Sequence, residues 1–373
     1  MGESTGNFNC RWPGILNVVN HGPLINLGSL YFNQGKYAEA ELLYERALAV
    51  REKVFGAEHP DVVLLLSNLA ELYKVQGKYI AAEPLYQRTL AIREKLYGPD
   101  HPDVAASLNG LASLYQKQGK YATAEPLCER ALSIQEKTLA ANHPDVISSL
   151  SNLASLYSHQ DKYDEAESLH QQALSICENA LGKDHPTVAT LLSSLASLYL
   201  NQGKYAKAAP LLQRALSIRE QALSAGHPSV ATSLNDLALL YLHQGKYAEA
   251  APLFQRALVI YEKVLGEDHR SVAMSLNNLA SSYENQGKHD EAVPLYQRSL
   301  AILEKALGKE HPRVATLLNN LALLYLHQGK YAEAAPLFQR ALVIYEKVVG
   351  EKHSYTQTIQ QNYIKCLEAQ NAL

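Results

Sequence analysis

The sequence lacks an excess of positive charge. Its 34 Lys and Arg are outnumbered by 37 Asp and Glu, for a formal net charge of −3. Covering phosphates takes a surplus of cations, so this balance argues against a dedicated nucleic-acid binder. Long apolar runs are also missing. The longest unbroken aliphatic run is Val62 to Leu66, against the roughly 20 residues of a membrane-spanning helix. Met1 to Gly6 shows no basic region followed by an apolar core, so no secretory signal is expected. Gly6 stands where a myristoylation motif needs Ser or Thr, which removes that reading too. The four cysteines, Cys10, Cys128, Cys177 and Cys366, are scattered and form no CxxC, as expected of reduced thiols in a cytoplasmic protein. No GxSxG, HExxH, Walker or GxGxxG pattern appears.

A repeat is present instead, and it decides the fold class. Gln-Gly-Lys begins at Gln34, Gln76, Gln118, Gln202, Gln244, Gln286 and Gln328, and Gln160-Asp161-Lys162 fills the gap. A histidine keeps the same step from His59 through His101 to His353. Proline follows it six times. Eight units are phased as 21–62, 63–104, 105–146, 147–188, 189–230, 231–272, 273–314 and 315–356, between an N-terminal extension (1–20) and a C-terminal cap helix (357–373). No linker interrupts them, so one continuous domain of 21–356 is expected.

Each unit reads as two helices. In the third, Leu108, Leu111, Ala112 and Tyr115 form one apolar stripe at i, i+3, i+4 and i+7. Gly119 follows as the left-handed stop. Ala124, Cys128, Ala131, Leu132 and Ile134 mark the second helix. A further glycine closes it in six units, and the His-Pro suits the start of the next helix. The proline early in the second helix (Pro84 and its counterparts) should distort it slightly without breaking it. Leucine holds three positions in all eight units. Small residues hold two others, the Gly28–Ala322 series and the Ala40–Ala334 series, which lets helices approach closely. Such a pair cannot bury its apolar face alone, but a stack can.

These residues resemble the tetratricopeptide (TPR) repeat. The 42-residue length resembles the kinesin light chain subtype, as do Leu276-Asn277-Asn278-Leu279-Ala280, Gln286-Gly287-Lys288 and Arg93-Glu94-Lys95…Gly98…His101-Pro102. The resemblance covers about 21–356. It implies an all-α, right-handed superhelical solenoid of eight helix-turn-helix repeats plus a capping helix. Its first helices would line a concave surface that binds peptides or proteins. Kinesin light chains carry a long coiled coil ahead of the repeats, whereas only the short segment 1–20 precedes them here, so a complete motor subunit is not expected.

The recurrent histidines are too far apart in a helical stack to share one ion, so a loop or helix-start hydrogen bond is expected of them. The glutamate of the Glu52–Glu346 series recurs with an arginine six residues earlier in seven units. Eight copies suggest a framework or solvated face, because a catalytic carboxylate is needed once. The tyrosines read mostly as framework. On the first helices, the face opposite the stripe carries Asn68, Asn109, Asn152, Asn235, Asn277, Asn278, Asn319 and Asn320. An amide can donate to and accept from an extended backbone. The resemblance assigns that role to Asn68, Asn152, Asn278 and Asn320, and a bond to the neighbouring repeat is the alternative. Early units offer Glu71, Lys74, Gln116, Lys117 and Ser158 on this face. Later ones offer Leu200, Leu239, Leu242, Leu323 and Leu326 with His243 and His327. Leucines clustered in a groove suit an apolar segment of a partner. Lateral packing between first helices is the alternative. Lys74 and Lys117 alone are too few cations for a clamp on acidic chain ends. Leu237–Val264 repeats identically as Leu321–Val348, which places two like pockets on one surface.

The expectation is a non-catalytic scaffold without metal or cofactor. It binds a protein or peptide in its groove and takes neither nucleic acid nor membrane, and its oligomeric state is open. The alternative is the regulatory or sensor portion of a larger signalling ATPase or protease system.

Overall fold

The computed structural model describes residues 22–371. The expected extension 1–20, with Cys10 and the Met1–Gly6 segment, lies outside the described residues, as do Ala372 and Leu373. Among the described residues nine first helices follow one another: α1 (Gly22–Asn33), α3 (Pro60–Val75), α5 (Pro102–Lys117), α7 (Pro144–His159), α9 (Pro186–Asn201), α11 (Pro228–His243), α13 (Arg270–Asn285), α15 (Pro312–His327) and α17 (Ser354–Asn371). Eight second helices alternate with them: α2 (Tyr37–Phe55), α4 (Tyr79–Tyr97), α6 (Tyr121–Thr138), α8 (Tyr163–Leu181), α10 (Tyr205–Ala222), α12 (Tyr247–Leu265), α14 (His289–Leu307) and α16 (Tyr331–Val349). No strand occurs among the described residues, and no helix there is long and apolar enough to cross a membrane.

The periodic residues set these boundaries. Each recurrent histidine is an N-cap: its Nδ1 accepts the backbone N–H two residues on, at 3.0 to 3.3 Å in all eight copies. Proline then occupies the first helical position, where no donor is missed. The first helices therefore begin three residues before the phase chosen at 63, 105 and onward. At their other end Gly77 sits at φ 75, and Lys78 N–H reaches back to Tyr73 O at 2.8 Å, a Schellman closure. Asp161 adopts this left-handed conformation at φ 60 in the unit without glycine. Where glycine is absent after the second helix, Leu139 and Leu223 end α6 and α10 one residue early. Pro84 and its counterparts lie inside second helices that run through them unbroken.

Between the helices, the small-residue series Ala70–Ala322 and Ala40–Ala334 are fully buried. Two leucine series join them: Leu66–Leu318 and Leu69–Leu321 line the core, whereas Leu48–Leu342 are half-buried at its margin. Burying one leucine contributes about 1.5–3 kcal/mol. Leu27, at the end of the array, is 38 % exposed among the described residues, against 4 % for Leu69.

Polar ladders join consecutive units. Arg88, Arg130, Arg214, Arg256, Arg298 and Arg340 each reach the recurrent glutamate of the preceding unit at 2.6 to 2.8 Å. Four of them also donate to the carbonyl that follows the preceding second helix. The expected framework role of the glutamates is thus an inter-repeat one. Gln172 replaces arginine at one step of the ladder. Tyr73, Tyr115, Tyr157 and Tyr199 donate to a glutamate of the unit before.

The stack coils far enough for its turns to touch. The Gln-Gly-Lys turns of the first three units meet the N-caps of α13, α15 and α17, always with the same offset along the chain. Gly35 faces His269, Gly77 faces His311 and Pro312, and Gly119 faces His353. His311 Nε2 bonds Val75 O at 3.2 Å, and Leu307 packs against the core of the first unit. One superhelical turn therefore takes between five and six repeats. A cleft of about 1190 Å³ remains in this seam, lined by Lys36, Lys78, Glu267, Asp268 and Lys305 among others.

Candidate binding groove

The inner face of the solenoid is built from first helices, whose fifth and sixth positions carry the predicted amides. Five of these join neighbouring repeats. Asn109 Nδ2 donates to Ser149 Oγ at 2.7 Å, and Asn235 Nδ2 donates to Ser275 Oγ at 3.0 Å. Asn320 Nδ2 donates to Asn277 Oδ1 at 3.0 Å, and Asn319 Oδ1 accepts from Asn362 Nδ2 at 3.1 Å. Asn277 in turn donates to Asn278 Oδ1. Asn68 is half-buried and Asn152 exposed, and neither makes a side-chain hydrogen bond among the described residues. Asn109 Oδ1 and Ser151 Oγ, in the same register, are buried acceptors without a partner there.

Leu200, Leu239, Leu242, Leu323 and Leu326 are all half-buried. Each leans one side on a core cluster, as lateral packing requires, and leaves the other side accessible. His243 is exposed and stacks on Tyr205 with ring centroids 6.3 Å apart. His327 is exposed too, with Nδ1 3.4 Å from Glu284 Oε1. The structure thus places the predicted leucines on α9, α11 and α15, each at the margin of a separate core cluster. It ties most of the predicted asparagines into ladders across the inner wall.

Sequence reasoning passed over a polar cluster behind this wall, where the second helix α10 meets α9 and α11. Arg219, only 5 % exposed, donates to Ser233 Oγ at 2.6 Å and to Thr190 Oγ1 at 3.2 Å. Nearby, burial pushes the Asp236 carboxyl up, while the Ser193 hydroxyl and Arg219 pull it down. Tyr261 and Tyr345, which stand in the place of Arg219 in later units, bond Thr232 and Thr316 instead. The change of residue type at this otherwise regular position (Arg51, Arg93, Gln135, Cys177, Arg219, Tyr261, Leu303, Tyr345) was the available signal.

At the early end, Lys74 pairs with Glu71 at 2.6 Å, and its ammonium lies over the Tyr86 ring. Burial, then the charges of Arg313 and Lys74, hold Lys117 below its usual value. Arg313 lies in the first turn of α15, so coiling brings its charge to the early units. No group of three or more His, Cys, Asp or Glu poised to hold a metal ion occurs among the described residues. The recurrent histidines spend Nδ1 on their own helix starts.

Family models described as tetratricopeptide repeat match residues 61–137, 104–174, 145–221, 187–263, 229–305 and 271–347, and a second such model matches 24–61. Among solved structures, one described as putative kinesin light chain nearly identical TPR-like repeats of Podosopora anserina is 32 % identical. It covers 55 % of this chain and 97 % of its own, with a TM-score of 0.46. BtubC (BKLC) from P. vanneervenii is 25 % identical, covering 66 % of this chain and 92 % of its own, with a TM-score of 0.48. No match emerges among curated proteins. Repeats of this kind typically act as protein-interaction scaffolds and are generally non-catalytic. With repeat models matched in register from residue 24 to residue 347, the chain belongs to the tetratricopeptide repeat family.

Proposed function

We propose that the chain is a non-catalytic scaffold that holds an extended or helical apolar segment of a partner protein in its concave groove. The observation that carries this reading is the row of half-buried leucines, Leu239 and Leu242 on α11 and Leu323 and Leu326 on α15. A leucine with one side seated in the core is positioned at low entropic cost, so burying its free side favours binding. The identical blocks Leu237–Val264 and Leu321–Val348 repeat this arrangement two units further on, which suits a partner with two like anchors. The ladder spends Asn278 Oδ1 and Asn320 Nδ2, so the other amide atom of each residue, Asn278 Nδ2 and Asn320 Oδ1, is the one offered to the partner's backbone. The units 21–62 to 315–356 act in this reading as one array.

The test is the double variant Asn278→Ala with Leu323→Glu. Partners captured by the wild-type chain are identified and their binding segments titrated as synthetic peptides. The variant should keep wild-type helicity by circular dichroism and lose peptide binding at least tenfold. Unchanged affinity would remove the groove as the binding surface.

A further inference from the structure

We propose that the chain stacks on a second copy of itself, rim to rim, through the same turn-to-N-cap contact that joins its own superhelical turns.

The internal seam shows what this contact is made of. A Gln-Gly-Lys turn with no Cβ at its tip receives the histidine that caps a first helix. Gly77 leaves 3.0 Å between a notional Cβ and the His311 ring. The contact is close enough to leave His269 9 % and His311 6 % exposed. Opposite charges flank it: Lys36 and Lys78 line the seam cleft together with Glu267 and Asp268, the two residues ahead of His269.

Among the described residues only three turns and three N-caps are used in this way. The turns at Gly203, Gly245, Gly287 and Gly329 carry the same tripeptide, and nothing lies within 4 Å of where a Cβ would stand. The caps His59, His101 and His143 carry the same His-Pro and keep side-chain exposures of 39 to 42 %. One rim of the superhelix is therefore a row of unoccupied sockets, and the opposite rim is a row of unoccupied plugs.

The free rims are also opposite in charge. The open turns present Lys204, Lys246, Lys288 and Lys330. The open caps carry Glu58, Asp61, Asp100, Asp103 and Asp145; Asp61 and Glu58 are already paired with Arg51 and Lys95, which leaves Asp100, Asp103 and Asp145 to face a second copy. Within the seam, by contrast, the caps of α13 and α15 are followed by Arg270 and Arg313. The contact between copies thus has better charge complementarity than the one inside the chain. A second copy placed on the open turns continues the internal offset beyond α17, so successive turns meet successive caps. Plug and socket are different surfaces, which makes the contact heterologous and open-ended. Inside one chain the tether supplies a high effective concentration. Between chains association costs translational and rotational freedom, so assembly rises with concentration and falls with salt.

Sedimentation velocity across a concentration series tests this with the full chain. Two charge-reversed pairs are compared: Lys246→Glu with Lys288→Glu on the turn rim, and Asp103→Lys with Asp145→Lys on the cap rim. Wild type should grow past a dimer at low salt and dissociate at high salt. Each variant alone sets like charges against one another at the reversed positions and should stay monomeric with unchanged helicity. An equimolar mixture should regain growth, because each reversed position then meets a residue of opposite charge. A wild type that stays monomeric to its solubility limit, growth that stops at a dimer, or a mixture that stays monomeric would each overturn the proposal.

Discussion

Gly77 and Gly245 hold the same place in the same tripeptide, with φ of 75° and 73°. One is pressed against His311 and Pro312, and the other faces open space. The same contrast holds for the caps, where His311 is buried and His227 exposed. Local sequence sets the shape of turn and cap alike. The difference comes from coiling, which brings the first three units under the last helices and leaves the middle units with free rims. A repeat that is uniform along the chain is therefore not uniform in space.

The largest expected effect sharpens this contrast by testing the shared core. Leu108→Ala, at a fully buried position in mid-array, should cost about 2–5 kcal/mol in urea unfolding. Leu307→Ala, in a half-buried residue that packs at the margin of its own core and across the seam, should cost less. Next come the two glycines. Alanine at either position meets the left-handed penalty of about 1–2 kcal/mol. Gly77→Ala should exceed Gly245→Ala by about a further 1 kcal/mol, because its methyl group also crowds His311 and Pro312. Equal costs would mean that the seam contributes nothing to stability.

Acid offers a third way to separate the regions. Burial holds His311 down to about 4, with the Arg313 and Arg270 charges adding to the shift and the bond to Val75 O opposing it. His269 is lowered as well, mainly by burial. Both are neutral in the folded seam, and the unfolded chain binds more protons below its ordinary histidine value. Their contribution is thus complete above about pH 6.5 and is lost as the pH falls from there towards 4. Fluorescence energy transfer between labels on the first and seventh units should fall over that window. His311→Asn, which keeps a good N-cap but cannot titrate, should flatten the response. The smallest effect concerns the arginine ladder. Gln172→Arg should fill the missing rung opposite Glu136 and add no more than about 1 kcal/mol in urea unfolding, as exposed pairs do.

The sequence made the local architecture legible. The helix-start role expected of the histidines, the left-handed stop at Gly119 and a cap helix after the eighth unit all correspond to the structure. These features depend on residues within a few positions of one another, which a short period displays directly. The groove was legible as a face but not as a set of partners. A helical wheel places Asn109 on the inner side, yet it cannot show that Ser149 stands 2.7 Å away on the next unit. The charge near Lys117 was hidden more deeply. Along the groove face of the early units only Lys74 and Lys117 are basic, and the distant cation that acts on Lys117 is Arg313, near the other end of the chain. That neighbour depends on the pitch of the coil, which accumulates from small rotations at every interface and is encoded at no single position.

The closed seam also gives the spring a latch. If the two ends of the chain are pulled apart, the contacts between Gly35, Gly77, Gly119 and their histidine partners must release before any helix pair can peel away. Extension should therefore begin with one long-range yielding event that lengthens the molecule without melting a helix. A regular series of smaller steps should follow as the units open one after another.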